Sequence, residues 1–104
     1  MYYEGTYDEG MKPGYRLVVT EDVDAENPLF WGSHVKVDGD IYQRWARGEV
    51  YTVSVEQRAE YVNVNDEYDI IVQWNLVDSL GGCYLDSDYT CLDVARENGW
   101  EGVA

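Results

Sequence analysis

Residues 77–99, VDSLGGCYLDSDYTCLDVARENG, hold both cysteines of the chain together with four aspartates, so metal and redox chemistry are considered first. In a calcium-loop register, Asp86 and Asp88 occupy the first and third ligand positions and Glu97 falls at the last. The sharp turn of such a loop needs glycine, but that position is Cys91. We therefore expect the aspartates to cap and solvate a turn, with cation binding as the lesser alternative.

The two cysteines, Cys83 and Cys91, are separated by seven residues and form no CxxC motif. His34 is the only histidine, so a tetrahedral zinc site lacks soft ligands. Free cysteine most often acts as a small buried apolar residue. We expect two free thiols, and a disulfide between them stays an alternative.

Other catalytic patterns are weak. His34, next to Ser33, is the one candidate base for a serine nucleophile, and a lone histidine is more often structural. None of the ten glycines forms a phosphate-binding GxGxxG or GxxxxGK[ST] loop. With twenty-one acidic residues, paired carboxylates have no diagnostic value. The sequence predicts no enzyme, no metal and no cofactor.

The overall charge is the more informative feature. Seven Lys and Arg against twenty-one Asp and Glu give a formal charge of −14, which argues against direct binding to nucleic acid. Hydrophobic residues make up 45% of the chain, enough to expect a folded protein despite the acidity. We expect residues 1–104 to form one domain, without a membrane span or signal peptide, inside the cell.

The first half of the chain predicts one clear strand. Residues 1–14 are either loosely ordered or lie across the domain with their tyrosines. The alternating run Tyr15–Glu21 is a strand, and His34–Val37 is a candidate second strand. A short helix follows from Ile41 to Arg47, with Asp40 as N-cap and a glycine stop just after it.

The second half predicts a hairpin and a helix. The run 48–58 is a strand whose odd-numbered residues face the core, 63–67 is a turn, and 69–77 is the partner strand. That partner places Ile70, Val72, Trp74 and Leu76 on one face.

Residues 78–88 are predicted to form a loop around Gly81 and Gly82. The last helix runs from Thr90 to Asn98, with a capping box between Thr90 and Asp93 and Gly99 after its end. Leu92 and Ala95 would dock it on the sheet. These elements predict an α+β fold, a small antiparallel sheet with one short helix and a C-terminal helix packed on one face.

Acidic residues in three groups are the main candidates for partner binding, because a protein with closely spaced carboxylates can occupy a basic DNA-binding groove. If the first two groups lie at strand ends and the third on the final loop and helix, they could form one continuous acidic edge. The first group is Glu21, Asp22, Asp24 and Glu26; the second is Glu56, Glu60, Asp66, Glu67 and Asp69; the third is Asp78, Asp86, Asp88 and Asp93. The alternative is an acidic surface that only maintains solubility.

Tryptophans supply a second candidate surface, since exposed Trp and Tyr are enriched in protein interfaces. Trp31, in a loop, and Trp100, after the last helix, are expected to be exposed and to contact a partner. Trp45 and Trp74 lie on amphipathic faces and are expected in the core.

The segments GEVYTVSVE, from Gly48 to Glu56, and VDSLGGCYLDSDYTCLDVARE, from Val77 to Glu97, with Trp74 between them, resemble small accessory proteins of phages that infect actinobacteria. This resemblance covers the second half of the chain and implies no established activity. It implies a phage-type protein in the cytoplasm of a bacterial host, where small acidic inhibitors of DNA-processing proteins occur.

The sequence thus predicts a non-enzymatic binding protein, most specifically a DNA-mimic inhibitor of a basic, nucleic-acid-binding host protein. The alternative is an accessory protein that binds a host protein through an aromatic patch. The oligomeric state stays open.

Overall fold

The structure is a computed structural model that describes residues 3–31, 39–63 and 65–104, with the backbone alone at 63 and 66–68. These residues contain four strands and two α-helices, in the order two strands, a helix, two strands and a helix. They are β1 (Gly5–Tyr7), β2 (Tyr15–Glu21), α1 (Gly39–Ala46), β3 (Tyr51–Asn63), β4 (Asp66–Cys83) and α2 (Cys91–Glu97), with a 3₁₀ turn at Pro28–Phe30.

The strands form one antiparallel sheet in the order β1-β2-β3-β4, and the predicted bounds of β2 are confirmed. The start of the chain belongs to this sheet, because Gly5 pairs with Val19. The ring of Tyr3 also packs edge-on against Tyr51, with ring centroids 5.7 Å apart.

The core lies on one face of the central strands. Leu17 and Val19 of β2, with Val53 and Val55 of β3, are at most 1% exposed. Helix α2 covers them with Val94 and other buried side chains. The α+β fold with a C-terminal helix on the sheet is therefore confirmed, as is the inward face of β3.

Helix α2 begins and ends as predicted. The Thr90 hydroxyl accepts a hydrogen bond from the Asp93 backbone N–H, and the Asp93 carboxylate accepts one from the Thr90 backbone N–H. This capping box satisfies two backbone donors that have no partner inside the helix. At the other end Gly99 has a φ of +61°, the left-handed conformation that suits glycine after a helix.

Helix α1 begins earlier than predicted. Asp40 is not the N-cap but lies in the first turn of the helix, which starts at Gly39. A carboxylate in the first turn still interacts favourably with the helix dipole, which is why its sequence signal resembles a cap. Gly48 has the expected positive φ of +75°. The predicted strand His34–Val37 lies outside the described residues.

The β3–β4 hairpin is confirmed but is much longer than predicted. The pairing Asn63–Asp66 closes it, so the turn is shorter than the predicted 63–67. The pairing of β2 with β3 ends at Gln57, and the Arg58 N–H then donates to the carbonyl of Gly14 at 2.8 Å. Beyond Arg58, β3 and β4 pair only with each other in the described chain. We call this two-stranded part, residues 59–73, the arm. An eighteen-residue strand spans about 60 Å, which matches the longest dimension of the molecule, 58 Å, against 25 Å in the other two.

The predicted loop at 78–88 is wrong in its first half, because residues up to Cys83 continue β4. The double glycine forms a bulge: Tyr51 pairs with Cys83 but Val53 pairs with Leu80. Gly82 has a φ of +67°, and a Cβ on Gly81 would lie 2.8 Å from a carboxylate oxygen of Asp22. Glycines at a bulge give the same sequence signal as glycines in a turn.

Neither of the two described α-helices is long and apolar enough to cross a membrane.

Removing the capping hydroxyl should weaken α2 and with it the core. We expect Thr90→Ala to lower the free energy of unfolding by about 1 kcal/mol in urea titrations. Ser87→Ala, in the exposed turn before the helix, is the matched control and should change it little. Equal stability of the two variants would contradict the capping account.

Candidate partner-binding surface

The first acidic group lies at the end of β2 and in the turn after it. Glu21, Asp24 and Glu26 are exposed. Asp22 is different, because its carboxylate accepts hydrogen bonds from the N–H of Gly82 at 2.7 Å and of Asp24 at 3.2 Å. Asp22 therefore ties this turn to the bulge of β4, and three acids are left for a partner.

Glu4 joins the first group, although the sequence analysis did not include it. Its Oε1 accepts a hydrogen bond from the Glu21 backbone N–H at 3.1 Å, because β1 pairs alongside β2. The three-residue strand β1 is too short to show alternation, so the sequence offered no signal for this neighbour.

The second group runs along the hairpin towards its turn. Glu56 pairs with Arg16 at 2.8 Å, and Glu60 pairs with Arg58 on the same strand. These two acids are partly neutralised by neighbouring arginines. Asp69 is exposed on the arm, and Asp66 and Glu67 begin β4 at the hairpin turn.

The third group is divided between β4 and the segment around α2. Asp78 is exposed opposite Val55, near the middle of the sheet. The Asp86 carboxylate accepts a hydrogen bond from the Asp88 N–H at 2.8 Å, an Asx turn that leaves both acids on the surface. The hydrogen bonds of the capping box, from the backbone and side chain of Thr90, lower the pKa of Asp93.

The three groups do not form one continuous edge, because Glu56 and Glu60 lie within β3 and Asp78 within β4 and not at strand ends. Glu21 of the first group pairs with Tyr51 at the start of β3, whereas Asp66 pairs with Asn63 at the end of β3. Twelve residues of strand separate these two ends by about 40 Å. The acids are therefore spread along the long axis of the molecule.

The calcium-loop register is not assembled as a site. Glu97 lies on α2 and accepts a hydrogen bond from the Tyr89 hydroxyl at 2.6 Å. This bond, with burial and the Glu97 charge, raises the pKa of Tyr89 to about 12. In the described part of the chain no three His, Cys, Asp or Glu side chains are grouped so that they could hold a metal ion.

Both cysteines are buried free thiols, as expected. They belong to the core cluster with Leu85 and Val94. Burial raises the pKa of both thiols, which keeps them protonated and unreactive near neutral pH.

The two tryptophans proposed for partner contact differ. Trp31 is half-buried, edge-on to Tyr84 with ring centroids 6.3 Å apart. The expected exposure of Trp100 is wrong, because this side chain is 8% exposed and packs in the core with Val94 and Ala95. The chain turns back at Gly99, so a residue after the helix stop returns to the sheet.

The tryptophans expected in the core are both half-buried. Trp45 donates a hydrogen bond from Nε1 to the carbonyl of Ala25 at 2.9 Å. Trp74 lies on the opposite face of the sheet from α2, where the Arg16 guanidinium stacks 4.0 Å from the ring centre. That contact partly covers the ring.

One exposed apolar surface lies on β4 and the arm, apart from Leu29 and Phe30 of the 3₁₀ turn, which are 62% and 75% exposed. Ile70, Val72 and Leu76 are 56%, 47% and 64% exposed. Their common face was predicted, but it is the face away from α2, which we call the back face. Ile71 and Tyr61, on the other face, are about half exposed as well. Sequence analysis missed this surface because alternating apolar residues normally indicate a buried face.

No family model, curated protein or solved structure matches this chain. The resemblance of its second half to phage accessory proteins stays a prediction.

Replacing each of the two tryptophans by alanine should lower the free energy of unfolding by different amounts. We expect Trp100→Ala to reduce the free energy of unfolding by about 3–5 kcal/mol, because it leaves a cavity in the core. Trp31→Ala should cost less than half as much. Urea denaturation measures both, and a larger loss for Trp31 would contradict the placement of Trp100.

The contact between Tyr89 and Glu97 should be visible in the titration of the Tyr89 hydroxyl. The folded pKa lies above the ordinary value of 10.0, so the stabilisation is fully present below pH 10 and is lost as pH rises through about 12. Glu97→Gln should move the pKa of Tyr89 back towards 10, followed by NMR of carbon-13-labelled tyrosine. Glu101→Gln, which removes the equivalent partner of Tyr15, should leave Tyr89 unchanged. A Tyr89 pKa near 10 in the unaltered protein would contradict the contact.

Proposed function

We propose that this protein is a non-enzymatic binding protein that presents its carboxylates to a basic, nucleic-acid-binding protein as a mimic of DNA. The observation that carries the proposal is a large negative charge spread along an elongated molecule. Fourteen net negative charges over 58 Å amount to about one per 4 Å. Duplex DNA carries one per about 1.7 Å of its axis, or one per about 3.4 Å on each strand, so the charge density of the protein is close to that of one strand of the duplex.

The placement of the exposed acids supports the proposal. Glu21 and Asp24 lie at one end of the long axis, Asp78 lies between the ends, and Asp69 lies on the arm. A basic groove that normally holds a length of duplex would meet carboxylates over its whole extent. Acids collected at one edge would fill only part of such a groove.

Asp22, Asp93, Glu56 and Glu60 have structural partners and contribute less to this surface. The mimic is assigned mainly to acids that are exposed, Glu21, Asp24, Glu26, Asp78, Asp86 and Asp88. In the phage setting that the resemblance implies, the partner is a host DNA-processing protein, and binding inhibits it by occupying its groove.

The aromatic alternative loses Trp100, which is in the core. It keeps Trp31, which is half-buried, and the adjacent Phe30, which is 75% exposed. The cation-binding alternative at Asp86 and Asp88 has no support from a grouped ligand set in the described residues.

The test is a pull-down of bacterial lysate proteins on the immobilised chain, with elution by a salt gradient. We expect basic DNA-binding proteins, released at moderate salt and displaced by competing duplex DNA, because attraction between exposed charges is screened by salt. Recovery of a partner that resists salt and duplex DNA, or of no partner, would contradict the proposal.

Variants make the test specific. In the recovered complex, the triple variant Glu21→Gln, Asp24→Asn, Glu26→Gln should raise Kd about tenfold by removing three steering charges. The matched control Glu21→Asp, Asp24→Glu, Glu26→Asp keeps every charge and should bind as the unaltered protein does. Equal affinity of the neutralised and control variants would show that charge at this end does not bind the partner.

A further inference from the structure

Residues 70–77 of β4, IIVQWNLV, carry no charge in a chain of which 27% of the residues are charged. In the part of the chain that the structure describes, β4 is the last strand of the sheet. Natural edge strands usually bear charges, prolines or bulges that prevent another strand from pairing. The only interruption here is the irregular register next to Val77, at the end of this run.

The same stretch exposes apolar side chains that a monomer leaves in water. On the back face, Ile70, Val72 and Leu76 are all close to half exposed or more. A two-stranded hairpin has no third layer to cover such side chains and is marginally stable alone. This stretch of the hairpin would therefore gain both backbone hydrogen bonds and apolar contacts from a further strand.

We propose that β4 pairs with β4 of a second copy of this chain, antiparallel, about a two-fold axis that passes through Gln73. The two sheets would then join edge to edge into one continuous sheet. The interface is isologous, because the same residues contribute from both copies.

The sequence of β4 is self-complementary in this register. A two-fold axis perpendicular to the sheet keeps the two faces distinct, so a residue can only meet one from the same face. On the back face Ile70 then lies opposite Leu76 of the second copy, and Val72 opposite Trp74. On the other face Ile71 lies opposite Asn75 of the second copy, and Gln73 lies opposite Gln73 of the second copy.

The irregular register beside Val77 favours this axis over one placed a residue further along. With the axis at Gln73, the paired segment ends with Asp69 opposite Val77, and no acid faces another acid. With the axis at Trp74, no acid faces another acid either, but Ile70 would face Asp78 and the pairing would run through the irregular register beside Val77. Like charges directly opposite each other are unfavourable in antiparallel pairs, and the uncharged run 70–77 avoids them.

Salt distinguishes this contact from the proposed function. Two copies that each carry a charge of −14 repel each other outside the paired strands, and added salt screens that repulsion. Salt should therefore strengthen the dimer while it weakens binding to a basic partner. The paired strip is about 30 Å long, smaller than a standard interface, so a dimer of modest affinity is expected.

The experiment is sedimentation velocity on the full chain in 0.15 M and 0.5 M NaCl. Protein concentrations from about 5 to 200 µM cover the range of dissociation constants expected for a weak dimer. We expect a reversible dimer that is more populated at the higher salt. A monomer under all conditions, or a dimer that salt dissociates, would overturn the proposal.

Substitutions on the axis test the register itself. Gln73→Glu and Gln73→Lys each place like charges opposite each other, so each should raise the dimer Kd at least about tenfold. An equimolar mixture of the two should form a heterodimer, because the opposed charges then attract. Gln57→Glu and Gln57→Lys are matched controls, since Gln57 is exposed on β3, away from the edge.

Gln73 is exposed, so its variants should keep the fold, which circular dichroism checks. Failure of the mixture to associate, or equal weakening by the Gln57 controls, would overturn the two-fold register. If β4 instead pairs with a strand of another protein, the isolated chain should be monomeric, and that result also overturns the proposal.

Discussion

The fold depends on a mismatch between a short helix and a long hairpin. Helix α2 has seven residues and spans about 10 Å, whereas β3 has thirteen residues and spans about 40 Å. This helix can cover only the stretch of sheet around Val53 and Val55 and exclude water from it. The rest of the hairpin must extend into solvent, and its exposure is therefore a consequence of the architecture.

This mismatch produces two surfaces with opposite chemistry. Extending the hairpin draws the molecule out to 58 Å, which spreads the carboxylates along one axis. It also leaves the uncharged run of β4 without a covering layer. The acidic surface suits a basic partner and the uncharged edge suits a second copy, and the two contacts share only Asp69, at the end of the paired strip. Both can therefore exist in one molecule, with salt favouring one and weakening the other.

The parts of the fold that were predictable are those in which a local signal and the tertiary structure agree. The alternation of β2, the inward face of β3 and the capping box at Thr90 each have one structural interpretation. Gly81 and Gly82 do not, because glycine signals a bulge and a turn equally well, and only the carboxylate of Asp22 beside them explains the choice. Trp100 was misplaced because the direction of the chain after Gly99 is set by packing. Of the three acidic groups, only the first lies at a strand end and in the turn after it, because Glu56 and Glu60 lie within β3 and Asp78 within β4. The distance between the groups depends on strand register, which composition does not contain.

Whether the arm projects from the sheet in solution is the claim on which both proposals depend. Small-angle X-ray scattering of the dilute chain at low salt, where we expect the least dimer, tests this most directly. The account predicts a radius of gyration near the 17.0 Å of the structure. A value near 13 Å, as expected for a compact chain of this length, would mean that the arm folds back on the sheet and would contradict the account.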